Sequence, residues 1–203
     1  MDRGTAIKQL NELKRLGKNL RLAADEWDED WKTLIATLMS ARTTDRVTIP
    51  LAEKLFKSYD NLAKLANADE KEIGKIINGV NFYETKAKRI IELAKILVSN
   101  YKGEVPHDFS KLIELPGVGR KTANVFLAEK GFGRIGVDTH VDYISHYLGW
   151  TNEKTQEKVE RDLENLFPKE YWGEINWTLV KFGQTYPNRT EKNKILDEIK
   201  RMR

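Results

Sequence analysis

Leu112-Ile113-Glu114-Leu115-Pro116-Gly117-Val118-Gly119-Arg120-Lys121-Thr122-Ala123 is the stretch on which the fold turns. Apolar residues at helical spacing flank it, with Phe109, Leu112 and Ile113 before the loop and Ala123, Phe126 and Leu127 after it, so two short helices meet at Pro-Gly-Val-Gly. Pro116 disfavours helical continuation from Leu115, and Gly117 and Gly119 admit positive φ with no Cβ in the way. Proline and glycine alone serve any turn between helices. What points further is the Arg120-Lys121 pair that follows, because backbone N–H groups, the positive end of the helix dipole and two full charges then converge. A phosphate is the natural ligand of such a hairpin, and contact there would position a nucleic acid without reading its sequence.

Outward from the hairpin, apolar residues recur at helical spacing almost everywhere, and no sustained alternating run reads as a strand. The clearest stripe is Trp31, Leu34, Ile35, Leu38 and Met39, behind the acidic Asp28 to Asp30. A second is Ala87, Ile90, Ile91, Ala94, Leu97 and Val98, ended by Lys102-Gly103. Shorter helices are predicted over Ala6 to Leu16, Asp45 to Lys57 with Pro50 in its early turns, Asn61 to Ala66, Glu70 to Ile77, Asp108 to Glu114, Arg120 to Lys130, Thr139 to Leu148, Glu153 to Phe167, Glu170 to Phe182 and Glu191 to Met202. The expected fold is all-α, with no repeat and no Gly/Ser/Pro linker to mark a domain boundary.

Beyond Lys121 the chain turns at Gly131-Phe132-Gly133 and reaches Gly136-Val137-Asp138-Thr139-His140. Asp138 falls at the N-cap of the next helix, a role worth about 1 kcal/mol. Capping and catalysis are compatible there, since a carboxylate held by helix N–H groups is rigid and stays ionised.

Composition narrows the chemistry. The chain has 203 residues, 40% hydrophobic and 33% charged, enough for a real core in one large domain or two small ones. Zero cysteines exclude disulfides, thiolate zinc sites and cysteine nucleophiles together, and with three histidines, His107, His140 and His146, no metal site is expected. The net charge of +4 and pI near 9.0 suit a polyanionic partner without requiring one. Basic residues gather at Lys14 to Arg21, Lys86 to Arg89, Arg120-Lys121 and Lys192 to Arg203. No apolar run approaches the roughly 20 residues of a membrane span and none resembles a leader, so a cytoplasmic, nucleoid-associated protein without membrane contact is expected. High charge, no Cys and few Gln lean towards an archaeal or bacterial thermophile, against which stand 13 Asn.

Leu115 to Asn124 followed by Val137-Asp138-Thr139-His140 resembles the helix-hairpin-helix, Gly/Pro-loop and Asp signature of the DNA glycosylase superfamily, in its endonuclease III-like branch. Leu38-Met39-Ser40-Ala41-Arg42-Thr43-Thr44-Asp45, Gly79-Val80-Asn81-Phe82-Tyr83-Glu84-Thr85-Lys86-Ala87 and Gly103-Glu104-Val105-Pro106 resemble that branch in order and spacing. The resemblance implies two helical lobes with a DNA-binding cleft between them. Residues 27–134 would form a six-helix barrel containing the hairpin, and 1–26 with 135–203 the second lobe. It further implies Lys121 as nucleophile and Asp138 as the essential aspartate. DNA would be met by Gly117, Val118, Gly119, Arg120, Thr122, Arg42, Phe82 and His140, with Asp45 and Tyr83 lining the lesion pocket. Arg42 and Phe82 match the polar filler and apolar wedge that occupy the hole left by a flipped base. The alternative for Phe82 is a core aromatic, and for Asp45 a helix N-cap.

The activity so implied is a monomeric DNA glycosylase with AP lyase activity on a damaged, oxidised pyrimidine in double-stranded DNA. Its alternatives are a glycosylase for G/T or G/U mismatches or for purine lesions, or a hairpin module that only binds DNA. Two departures from the branch stand out. Arg42 replaces the usual glutamine, and Phe182-Gly183-Gln184-Thr185-Tyr186-Pro187 stands where the first of four cluster cysteines would fall. No iron-sulfur cluster and no other cofactor is therefore expected, beyond a monovalent cation that the hairpin backbone could hold. A C-terminal helix would pack through Ile195, Ile199 and Met202, with Lys192, Lys194, Lys200 and Arg201 facing DNA or water.

Overall fold

The computed structural model describes residues 1–202; Arg203, the last of the C-terminal basic cluster, lies outside the described residues. Among those residues the helices are α1 Arg3–Leu16, α2 Asp30–Ser40, α3 Asp45–Ser58, α4 Leu62–Ala66, α5 Glu70–Ile76, α6 Tyr83–Tyr101, α7 Phe109–Ile113, α8 Arg120–Glu129, α9 Thr139–Leu148, α10 Gln156–Leu166, α11 Lys169–Thr185 and α12 Arg189–Lys200. The fold is all-α as the periodicity predicts, and no helix among the described residues is long and apolar enough to cross a membrane.

Two compact units divide the chain. One is contiguous, Arg21–Phe126, and the other is composite, Met1–Leu20 with Leu127–Arg203. These divisions fall earlier than the 26/27 and 134/135 boundaries expected from the resemblance, for reasons visible in the packing. Arg21 pairs with Glu53 of α3 at 2.5 Å and lies over the Trp27 ring, which meets Phe56 edge-on at 4.9 Å. Leu22, Ala23 and Ala24 are buried, so this segment belongs with α3. At the other boundary, Gly133 lies against Lys169 of α11 and Ile135 is buried in the composite core.

In the contiguous unit the predicted α2 stripe, Trp31, Leu34, Ile35, Leu38 and Met39, is buried throughout. The long α6 packs against α4 and α5. Its buried face is Lys86, Ala87, Ile90, Ile91, Leu93, Ala94 and Leu97, while Val98, read as part of the stripe, is exposed. Left-handed Lys102 and Gly103 end α6, with the Gly103 N–H donating to the Leu97 carbonyl at 2.8 Å.

The composite unit gathers Leu10 and Leu13 of α1, Ile144 and Leu148 of α9, Leu163 of α10, Leu179 and Phe182 of α11, and Leu196 and Ile199 of α12. Buried Gln9 donates to the Ile199 carbonyl and accepts from the Trp150 indole, which satisfies both side chains inside this core. The helix expected from Glu153 starts at Gln156, because Thr155 takes the N-cap and accepts from the Lys158 N–H. The expected basic face of α12 loses one member. Lys192 shares the inner face with Leu196 and Ile199, is only 9% exposed and sits near the Tyr143 ring, so it faces neither DNA nor water. Burial, with Arg189 nearby, pushes its pKa down.

Candidate nucleic-acid interface

The hairpin between α7 and α8 forms as its proline and glycines predict, with one correction. Gly117 has φ +79, and a Cβ there would lie 2.7 Å from Leu38 Cδ1 and 3.2 Å from Arg89 Cδ. Gly119 is not among the positive-φ residues, and a Cβ on it would meet nothing within 4 Å. Gly119 thus keeps an open approach to the start of α8 rather than supplying a left-handed turn. Val118 and Thr122, expected at DNA, are buried at 4% and 5% exposure. Their side chains serve the core, and only their backbone remains to offer a ligand. Arg120 lies over the Phe109 ring at 5.1 Å, a contact that ties the start of α8 back to α7.

Lys121 is half-buried in the first turn of α8, where a helix carries N–H groups without intrahelical acceptors. A second lysine feels it. Lys86, buried on α6, donates from Nζ to the Met39 carbonyl at 2.8 Å and the Ala41 carbonyl at 2.6 Å, at the C-terminal end of α2. Burial, aided by the charge of Lys121, pushes its pKa from 10.5 to about 8. Native Lys86 therefore loses its proton near pH 8, while an unfolded lysine keeps it to about 10.4. Between those values the unfolded chain binds the extra proton, so stability contributed at this position rises with pH. Denaturant titrations should show the wild type gaining stability relative to Lys86→Met between pH 7.5 and 9.5; a flat or falling difference would refute the burial effect.

Arg42 and Phe82 are brought together. Both are exposed, both are left-handed at φ +60 and +61, and the guanidinium lies 5.8 Å from the ring centroid. The core reading of Phe82 is thereby overturned, because its side chain is 61% exposed. A left-handed backbone costs a non-glycine residue about 1–2 kcal/mol. Both residues of this pair therefore carry backbone strain at an exposed position. Asn81 joins the two loops, its side chain donating to the Arg42 carbonyl and its N–H to Thr43 Oγ1 at 3.0 Å.

Asp45 and Tyr83, the residues expected to line a lesion pocket, both lie in the contiguous unit. Asp45 is not the N-cap of α3; Thr44 is, and half-buried Asp45 stands in the first turn. Its charge suits the positive end of that helix. Half-buried Tyr83 packs on α5, its ring 3.7 Å from where a Cβ on Gly74 would lie.

Asp138 and His140 belong to the composite unit. Asp138 caps α9 as predicted, Oδ1 accepting from the N–H groups of His140 and Val141, both at 2.9 Å. Since both bonds fall on Oδ1, the cap leaves Oδ2 unused. His140 is half-buried against α11, where a Cβ on Gly183 would sit 2.1 Å from its Nδ1. Only glycine at 183 lets the ring lie there.

Sequence reasoning assigned no role to Lys86 or Asn81. The signal for Lys86 was present, since it stands in register with Ile90, Leu93 and Leu97 on the apolar face of α6.

This helical fold with its Gly/Pro hairpin has counterparts among known proteins. The chain belongs to the HhH-GPD superfamily of base excision DNA repair proteins, whose family pattern it matches over residues 35–169. Within it the chain falls in the endonuclease III-like branch. It is 42% identical over 158 residues to the endonuclease III of Thermotoga maritima, covering 77% of this chain and 74% of that protein. It is 38% identical over 160 residues to that of Rickettsia felis, covering 78% and 75%. Among solved structures, a trapped covalent intermediate of an endonuclease III with DNA superposes with a TM-score of 0.85 at 30% identity, covering 93% of this chain and 89% of that one.

Proposed function

We propose that this protein is a base excision DNA glycosylase with associated AP lyase activity, acting on an oxidised pyrimidine in duplex DNA. The observation that carries the reading is Lys121 in the first turn of α8, two residues after Gly119, where the hairpin is open. A base stacked in a duplex cannot be attacked at its sugar until it is flipped out. The Lys121 amine then forms a bond to C1′ as the N-glycosidic bond breaks and the base leaves with its electron pair and gains a proton. Opening of the sugar ring yields a Schiff base. Loss of a C2′ proton expels the 3′ phosphate by β-elimination, and hydrolysis frees the lysine. Asp138 stabilises the positive charge that develops on the sugar and accepts the proton that Lys121 gives up to become the attacking free amine. Arg42 and Phe82 fill the hole in the duplex.

The test is single-turnover base release and strand nicking on duplexes each carrying one modified base. Release of thymine glycol or 5-hydroxyuracil with nicking supports the reading. Binding with neither release nor nicking on any duplex would reduce the chain to a binding module, and release restricted to T or U opposite G would move it to the mismatch enzymes.

The hairpin glycines separate support from contact. Gly117→Val combines left-handed strain with a clash on Leu38, so a loss of about 2 kcal/mol or more is expected, together with loss of binding. Gly119→Val meets open space; its melting temperature should stay near wild type, while binding to damaged and undamaged duplexes weakens alike. A Gly119→Val loss confined to damaged DNA would mean that the loop reads the lesion itself.

The branch also implies an iron-sulfur cluster, and the residues here do not fit one, because the sequence contains no cysteine. In the composite unit α12 packs through Leu196 and Ile199, with Ile195 and Met202 beside them. The purified protein should accordingly be colourless and retain full activity in chelator; iron-dependent absorbance with chelator-sensitive activity would contradict this.

A further inference from the structure

Two loops of the contiguous unit end in strained, exposed residues, Arg42 after α2 and Phe82 before α6, and the two share one support. The segment around Arg42 is held at four points by residues 81 and 86. Lys86 donates to the Met39 and Ala41 carbonyls ahead of Arg42, and the Asn81 side chain donates to the Arg42 carbonyl. The Asn81 N–H binds Thr43 Oγ1 just beyond. Asn81 and Lys86 flank Phe82 and the first turn of α6, so whatever fixes one loop fixes the other.

We propose that Lys86 and Asn81 form a clasp that locks Arg42 and Phe82 into a single two-pronged probe, so that both enter the duplex together as a base is extruded. The proposal rests on the reading of the chain as an enzyme that opens duplex DNA, and it assigns Lys86 and Asn81 as positioning residues. An apolar wedge works only if it resists the stacked bases it displaces; a phenylalanine on a mobile loop would fold back onto protein instead. The clasp supplies that resistance through bonds that cross between loops some 40 residues apart in sequence, the Asn81 and Arg42 partners being 39 apart. Lys86 is not a surface lysine bonded by chance. It is 7% exposed, and burial disfavours its charge, yet its donors satisfy two carbonyls at the end of α2 that would otherwise lack partners inside the protein. Its other neighbour is Lys121, so the competing account is that Lys86 acts on that amine rather than on the probe.

The experiment uses a duplex with a tetrahydrofuran abasic analogue opposite 2-aminopurine, whose fluorescence reports unstacking at saturating protein and needs no chemistry. Lys86→Met and Asn81→Ala should each shrink the wild-type fluorescence change at least threefold. Neither should shrink it further in a Phe82→Ala background, because residues that act as one unit are not additive. Asn81 is exposed, so Asn81→Ala keeps the test open should Lys86→Met unfold, and melting temperature is read on every variant. A full-sized change in Asn81→Ala overturns the clasp. So does a loss in folded Lys86→Met alone, which would place that lysine with Lys121. Base release by the wild type from a thymine glycol duplex is measured in parallel, and its absence sinks the glycosylase reading while leaving the fluorescence result to stand or fall by itself.

Discussion

Lys121→Gln should abolish covalent capture of the protein on lesion-containing DNA when borohydride is present during turnover. Borohydride reduces a Schiff base to a stable amine, so capture reports a covalent amine–sugar intermediate. A lysine attacks only as the free amine, and an ordinary pKa near 10.4 leaves roughly one molecule in a thousand in that form near pH 7.4. Glutamine matches the length and helix propensity of lysine but cannot attack. The fold and the hairpin contacts should therefore survive while the adduct, read on a denaturing gel, falls to background. Retained capture would name another amine. Lys86, whose pKa is already about 8, would be the first suspect, and Lys121→Gln with Lys86→Met would decide the matter.

Asp138→Asn should lower the single-turnover rate about 10²-fold or more, the order expected when one well-placed electrostatic stabiliser is lost. The substitution is informative because the cap uses only Oδ1, which an asparagine also presents to the His140 and Val141 N–H groups. Asn and Asp cap about equally well, so melting temperature should barely move. What disappears is the negative charge. A rate within twofold of wild type, with unchanged melting, would confine Asp138 to capping α9.

Where local chemistry alone sets the structure, the sequence reads well. Thr139–Leu148 is predicted to the residue because Asp138 caps it and Gly149 ends it in a left-handed conformation. The hairpin likewise follows from Pro116 and Gly117. What escapes is whatever depends on partners distant in sequence. Gly119 looks like Gly117 in the sequence, but only its neighbours show that it lines open space. Lys192 reads as surface charge until α12 is docked and its inner face is known. Thr122 next to Lys121 reads as a contact residue, yet the rotation of about 100° per helical residue turns it into the core. Arg42 and Phe82 are nameable from the family resemblance, but their shared left-handed conformation and the bonds from Asn81 and Lys86 beside it are announced by no local pattern.

The composite unit is built from the two ends of the chain, and this orders events during synthesis. Arg21–Phe126 emerges as one run and can complete its core while the rest is still being made. Helix α1 emerges before it, yet its apolar face, Ala6, Leu10 and Leu13, belongs to a core whose other walls include α11 and α12. That face stays uncovered for most of translation, a sticky amphipathic segment tethered to an already folded body. Refolding should show the same order, with the contiguous unit forming early and closure of α1 onto α11 coming late, since its partners lie more than 150 residues away, as in the Lys14–Glu174 ion pair. Holdase chaperones would find their target in the nascent α1, and loss of the last helices would leave it permanently exposed.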